Sequence, residues 1–243
     1  CNLHKVKKIA QKKNLFIIED ISEVLLSKQN NNYVGNCSWY NKEKIISYAS
    51  LHASKTLIAG EGGIIMTNSK KISSKLRILR NHGQKGKKAY FYEMTGGNFR
   101  LSNLLASIGY SQLLRLNEIL RKKKKLDNCY KRNLSKNSNL SLMVEPKKFS
   151  PIKFGFPILF KKKGVRDKIM KILNKNSTLC RPSFYSLNRL KHLNIYKNKK
   201  SSKQDFKRAE IATDNVLVLP IHNNLGTKEV DSICLKINNY FKN

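Results

Sequence analysis

Three short apolar runs, Leu15–Ile18, Ile45–Ser50 and Gly63–Thr67, alternate with segments of helical periodicity in the first part of this 243-residue chain. Runs of this length are too short for buried helices, and strands separated by helical segments predict a largely parallel sheet in an α/β layer fold. The helical segments are an amphipathic opening stretch with Leu3, Val6, Ile9 and Ala10 that ends at Asn14, and a stretch from Lys70 to about Arg80. A longer one starts at Ser102, carries Leu105, Ile108, Leu113, Leu116 and Leu120, and runs through a lysine cluster toward Asn133. Beyond about Leu134 the units become shorter: a strand at Phe156–Phe160, a helix at Val165–Leu173 and a last helix from Lys228 to Phe241. This change of character predicts two domains, residues 1–135 and 136–243, with no internal repeat. The chain opens inside a helix on Cys1, which reads as the start of a fragment.

The charge is unusual for such a pattern. Lys and Arg total 49 against 15 Asp and Glu, a formal net charge of +34. A basic nucleic-acid-binding protein is the class this charge would favour, through counterion release. However, the basic runs Arg121–Lys125, Lys161–Lys163 and Lys197–Lys200 lack interleaved aromatic residues, and Asn accompanies Lys throughout. That pattern reads as a lysine-rich surface rather than a stacking platform for bases. Five scattered cysteines, Cys1, Cys37, Cys129, Cys180 and Cys234, contain no CxxC pair and read as reduced thiols of a cytoplasmic protein. No metal site is expected, and no run approaches the ~20 apolar residues of a membrane span.

Two segments carry chemistry. In Ser50-Leu-His-Ala-Ser-Lys55, followed by Gly60-Glu-Gly-Gly63, a lysine stands between a strand and a glycine-rich turn. Ligands of open α/β sheets bind at such strand ends. Unlike most lysines here, Lys55 has small or apolar neighbours, and Ser50 could donate to an anion. In Phe16-Ile-Ile-Glu-Asp20, a buried strand delivers a carboxylate at its end. Spacing alone also allows Asp20 to be a helix N-cap or a loop carboxylate. An imine-forming lysine and a strand-end aspartate holding a proton on a pyridine nitrogen are the protein groups that pyridoxal phosphate requires.

The chain resembles the DegT/DnrJ/EryC1/StrS sugar aminotransferases, pyridoxal-phosphate enzymes of fold type I, in their perosamine-synthase-like branch. The resemblance rests on Phe16-Ile-Ile-Glu-Asp-Ile-Ser-Glu23, Ser50–Gly63, Arg80-Asn-His-Gly83, Gly96-Gly-Asn-Phe-Arg100, Gln112-Leu113, Arg181-Pro-Ser-Phe-Tyr185 and Leu219-Pro220, in the family's order. Departures are Val24-Leu25-Leu26 after the first motif, Ser186-Leu187-Asn188 after the arginine motif, and the absence of the family's N-terminal portion.

The resemblance implies an aspartate-aminotransferase-like fold: the C-terminal part of a large domain with a mixed, mostly parallel sheet, then a small α+β domain. It implies pyridoxal 5'-phosphate as cofactor, Lys55 as its covalent lysine and Asp20 as partner of its ring nitrogen. Ser50 would bind the phosphate and Glu23 would pack near the ring. Asn98 would reach a neighbouring subunit's cofactor site, and Arg181 would meet substrate. The implied reaction passes an amino group from an amino acid, glutamate by expectation, to a nucleotide-linked keto-sugar, in a cytoplasmic homodimer. A basic nucleic-acid-binding protein and a truncated member that keeps the fold without turnover are the alternatives.

Overall fold

A computed structural model of the chain describes residues 2–86, 90–196 and 206–242; Cys1 and the Lys197–Lys200 run lie outside the described residues. In chain order the elements are α1 (Leu3–Lys12), β1 (Ile17–Asp20), β2 (Lys28–Gln29), β3 (Asn32–Tyr33), β4 (Ile45–Ser50) and β5 (Gly63–Met66). Next come α2 (Lys70–Arg80), α3 (Asn103–Leu114), α4 (Leu116–Leu134), β6 (Leu140–Leu142), β7 (Phe149–Ser150), β8 (Phe156–Phe160) and α5 (Val165–Lys175). The chain ends with β9 (Arg181–Pro182), α6 (Lys207–Asn215), β10 (Val216–Leu219) and α7 (Thr227–Asn239). Two compact units result: Cys1–Leu116 with Pro146–Ile152, and Asn117–Glu145 with Lys153–Asn243.

The first unit is built on the sheet β1-β4-β5. β1 pairs with β4 in parallel, from Ile17↔Ile45 to Asp20↔Tyr48. β4 and β5 run antiparallel, so the sheet is mixed. The reason is the connection: no helix lies between Ser50 and Gly63, so the chain folds straight back instead of crossing over. β4 alternates strictly, with Ile45, Ser47 and Ala49 buried. The neighbouring hairpin β2–β3 closes on Asn30 and Asn31, both at positive φ (50° and 64°), as a two-residue turn of matching twist demands. β7 then joins β2 as a third strand, through Lys28↔Ser150 and Gln29↔Phe149.

Helix starts follow their caps. The Ser69 hydroxyl accepts the Ile72 amide at the head of α2, and the Ser102 hydroxyl accepts the Leu105 amide at the head of α3. The long helix expected from Ser102 is in fact two. α3 stops at Leu114, the Arg115 amide folds back onto the Gln112 carbonyl in a tightened last turn, and α4 starts afresh at Leu116. The break separates two packing duties. Gly109 of α3 sits close to Ala59 in the first unit, whereas Ile119, Leu126, Tyr130 and Leu134 of α4 are buried in the second.

The second unit stacks helices on an antiparallel sheet, β6-β8-β10-β9. Its core joins Tyr130, Phe156, Phe160, Leu173, Leu217 and Ile237. Tyr130 stacks on Phe156 with centroids 4.7 Å apart, and its hydroxyl donates to the Pro220 carbonyl at 2.9 Å. Two lysines depart from the surface role expected of the basic composition. Lys123 is 5% exposed and donates to the Lys153 and Ile221 carbonyls, at 3.1 and 2.8 Å. Lys153 is 8% exposed and pairs with Asp127 and Glu145.

Burial gives this unit a defined alkaline limit. It pushes the Cys180 and Cys234 thiols up from 9.0 to about 12. Both hold their protons more tightly folded than unfolded, so their contribution is complete below pH 9 and is lost as pH climbs toward 12. Lys123 acts oppositely: burial lowers its ammonium from 10.5 to about 8, so stability rises across that interval. Between about pH 9 and 10.5 Lys123 offsets only one of the two thiols, so stability already falls from about pH 9, and it falls faster beyond 10.5, where the buried Tyr130 phenol adds to the thiols. The urea midpoint should therefore begin to fall near pH 9 and fall most steeply above about pH 10.5, and the Cys180→Ala/Cys234→Ala chain should fall less steeply. An identical slope in both proteins contradicts this assignment.

Candidate active site

The site grows from the adjoining ends of β1 and β4. Alternation along β1 sends its two acidic residues to opposite faces. Glu19 accepts from the Ser47 hydroxyl at 2.8 Å, while Asp20 stands opposite Tyr48. The Ile21 amide donates to the Tyr48 carbonyl at 2.9 Å, which fixes the strand end, and the Ser22 amide closes onto Asp20 Oδ1 at 2.9 Å. Asp20 is thus a strand-end carboxylate and not a helix cap. Burial works to raise its pKa, but the Ser22 hydroxyl and amide, the Tyr48 hydroxyl and the Lys55 charge together hold it below the usual carboxylate range.

β4 ends at Ser50, whose amide donates to the Ser22 hydroxyl at 3.2 Å. The Ser50 hydroxyl accepts the His52 amide at 3.2 Å, an arrangement that leaves its hydrogen for an anion. The chain then makes a closed loop. Leu51 and Ala53 amides donate to the Gly62 and Gly60 carbonyls at 2.9 and 2.8 Å, and the Ala59 amide returns to the Leu51 carbonyl at 2.8 Å. Buried Leu51, Leu57 and Ala59 form its small core. Gly62 has φ +115°, and a Cβ there would lie 2.6 Å from Leu101 Cδ1, so the turn needs glycine.

This loop carries Lys55, its amide tied to the His52 carbonyl at 2.9 Å. The Lys55 side chain is only 16% exposed, and its Nζ lies 3.3 Å from Glu23 Oε1. The fold therefore brings Asp20, Glu23, Ser50 and Lys55 into one neighbourhood, as the sequence suggested. Ser22 and Tyr48 belong to it as well and were missed. A cross-strand register would have found Tyr48, and the Asx-turn spacing Asp-x-Ser would have found Ser22.

Asn98 and Arg181 belong to other elements. Asn98 bridges Asn81 at the end of α2 and accepts from Arg100 Nε at 3.1 Å. Its loop is anchored by Gly83, at φ +79°, where any Cβ would collide with the Met94 carbonyl. Arg181 lies on β9 in the second unit, its guanidinium 4.6 and 5.4 Å from the Phe154 and Phe184 ring centroids. Among the described residues no three His, Cys, Asp or Glu side chains form a group that could hold a metal ion, and no helix is long and apolar enough to cross a membrane.

A carboxylate kept ionised beside a covered amine suits a ligand with a protonated ring nitrogen and a carbonyl carbon. The residues present fit pyridoxal 5'-phosphate: Asp20 for the ring, Lys55 for the carbonyl carbon and Ser50 for the phosphate.

Comparison with known proteins points the same way. The sequence profile of the DegT/DnrJ/EryC1/StrS aminotransferase family matches residues 1–238. The GDP-perosamine synthase of Escherichia coli O157:H7 is 27% identical over 99% of this chain and 62% of its own length. The solved Helicobacter pylori PseC, an aminotransferase involved in the biosynthesis of pseudoaminic acid, superposes with TM-score 0.87 at 25% identity, over 100% of this chain and 64% of that one. The fold is also that of the sugar aminotransferase Spr1654 of Streptococcus pneumoniae, described as putative and solved in PLP and PMP forms, with TM-score 0.85 at 19% identity over 100% of this chain and 65% of that one. The chain spans about 62% of the length of the perosamine synthase it matches.

Proposed function

Because this chain belongs to the DegT/DnrJ/EryC1/StrS aminotransferase family, we propose that its protein moves an amino group from an amino acid to a nucleotide-linked keto-sugar. The observation that carries the reading is the pairing of a strand-end Asp20, held ionised, with the covered Lys55 of the adjoining loop. Pyridoxal 5'-phosphate, when bound, supplies a ring that draws off the electrons released as the donor loses its α-hydrogen. Lys55 would hold the cofactor covalently between turnovers and, as a free amine, would take and return the proton at the donor α-carbon. Asp20 accepts the ring N–H, and its negative charge keeps that proton in place. The Ser50 hydroxyl would donate to the phosphate, and Glu23 holds the Lys55 ammonium in position before the cofactor is attached. Arg181, already stacked on two aromatic rings, offers a cation for the diphosphate of a sugar nucleotide.

The expected division at residue 135 falls inside the second unit; the unit Cys1–Leu116 with Pro146–Ile152 then acts as the cofactor-binding part, and the unit Asn117–Glu145 with Lys153–Asn243 as the small domain of a cytoplasmic homodimer. Support for association comes from α3, which carries apolar residues on every side, interspersed with Ser107, Ser111 and Gln112, and leaves Leu104 and Leu114 74% and 72% exposed. Phe99, next to Asn98, is 75% exposed, as suits a loop completing the partner's site. The purified protein should elute at twice the chain mass, and that fraction should transfer ¹⁵N from labelled glutamate to a nucleotide-linked 4-keto-sugar. Label that stays on glutamate overturns the function, and activity confined to a monomer fraction overturns the shared site.

A further inference from the structure

We propose that the cleft between α1, the β2–β3 hairpin and the loop over residues 36–39 binds a saccharide that carries an anionic group, a carboxylate or a phosphate ester. Its walls belong entirely to the first unit. The site is distinct from the Asp20–Lys55 neighbourhood and needs no cofactor. Glu19, which alternation turns to the opposite face of β1 from Asp20, accepts the Trp39 indole N–H at 3.4 Å, and Trp39 lines the cleft. The volume is about 210 Å³. Pockets for drug-sized ligands hold roughly 300–1,000 Å³, so this cleft suits a single sugar ring.

Three features of the lining select the ligand. The first is aromatic: with its N–H taken by Glu19, Trp39 has ring carbons to offer, and Tyr33 adds a second ring, one face of it covered by the Lys28 ammonium 4.5 Å from the centroid. Such rings pack against the C–H side of a pyranose. The second is a fixed amide. Asn36 Oδ1 accepts the Ser38 amide and hydroxyl at 3.0 and 2.9 Å, and the Asn36 carbonyl accepts Asn68 Nδ2 at 2.9 Å. The Asn36 NH₂ is left to donate and the Ser38 oxygen to accept, the pair of roles that a sugar hydroxyl answers. The third is charge. Lys7 lines the cleft half-buried, beside His4 on the same side of α1, and no Asp or Glu lines it with them. Among the described residues Lys7 makes no hydrogen bond or ion pair. Most lysines of this chain lack an acidic partner and are simply hydrated, but an ammonium partly withdrawn from water in a cleft is best met by an anion of the ligand.

Trp39 is the single tryptophan of the chain, so its fluorescence reports on this cleft alone. The purified chain, without cofactor, is titrated with glucuronate, glucose 6-phosphate, glucose and inorganic phosphate. Glucuronate, glucose 6-phosphate or both should change the emission saturably, with glucose requiring at least about tenfold higher concentration, the worth of one charge-assisted hydrogen bond. A response to only one of the two anionic sugars identifies the anionic group as carboxylate or as phosphate ester. Lys7→Gln, which breaks no bond of the fold, should bring the anionic sugars to the level of glucose and leave amino transfer unchanged. No saturable change with any sugar overturns the proposal. An equal response to inorganic phosphate and glucose 6-phosphate shows a bare anion site and overturns the saccharide. Anionic sugars that bind Lys7→Gln as tightly as the parent overturn the role of the ammonium.

Discussion

Lys55→Ala should leave the protein unable to fix pyridoxal phosphate covalently and should lower amino transfer by at least about 10⁴-fold, the upper range for removing a positioned proton-transfer group. Two duties converge on this amine, attachment of the cofactor and movement of the α-proton, and alanine removes both. The loop itself should survive the change. Its fold depends on amide bonds from Leu51, Ala53 and Ala59 and on the buried Leu51, Leu57 and Ala59, none of which needs the ammonium. The exposed part of the Glu23 pair adds little stability, since ion pairs open to solvent are screened. The far-ultraviolet circular dichroism and the urea midpoint should therefore match the parent. Added methylamine should restore part of the proton transfer but not the covalent attachment. Full activity in Lys55→Ala would remove the lysine from the mechanism.

Asp20→Asn is the second large effect, and it separates chemistry from binding. The amide can still accept the Ser22 N–H that closes the turn after β1, so the strand end stays in place. It has no negative charge to hold a proton on a pyridine nitrogen. The ring then draws electrons weakly, and the donor's α-hydrogen becomes harder to remove. Cofactor affinity should change little, while single-turnover transfer from the amino donor should slow by about 10²–10⁴-fold. Equal rates in variant and parent would refute the ring-nitrogen role. The contrast with Lys55→Ala is informative, because only one of the two variants loses the covalent link.

Much of this arrangement was legible in the order of residues. The helix over Lys70–Arg80 has the bounds expected of it, and the apolar runs at Ile45–Ser50 and Phe156–Phe160 are strands of those bounds. Lys55 stands out by its small or apolar neighbours and Asp20 and Ser50 by their places at strand ends, whereas Glu23 enters only through the family resemblance. The rest depends on pairing that spacing does not encode. The run expected at Leu15–Ile18 is the strand Ile17–Asp20, because hydrogen bonds to β4 extend it through its two acidic residues. β5 turns antiparallel because its connection folds back, and no local residue pattern distinguishes that from a crossover. Arg115 ends a helix without glycine or proline; only the different burial of α3 and α4 explains the break. Pro146–Ile152, a short stretch with no strong period, leaves the second unit to supply β7 to the first. Tyr48 reads as an ordinary strand residue until its register partner is known. Lys123 stands in a run of basic residues, and its burial against two carbonyls has no sequence signal.

The central claim is that Lys55, among the lysines that make up most of 49 basic residues, is the one that carries the cofactor. Borohydride reduction of the pyridoxal-phosphate-loaded protein, followed by digestion and peptide mass mapping, tests it most directly. The account predicts one pyridoxyl group, on the peptide containing Lys55. A pyridoxyl group fixed on any other lysine, with Lys55 unmodified, would contradict it.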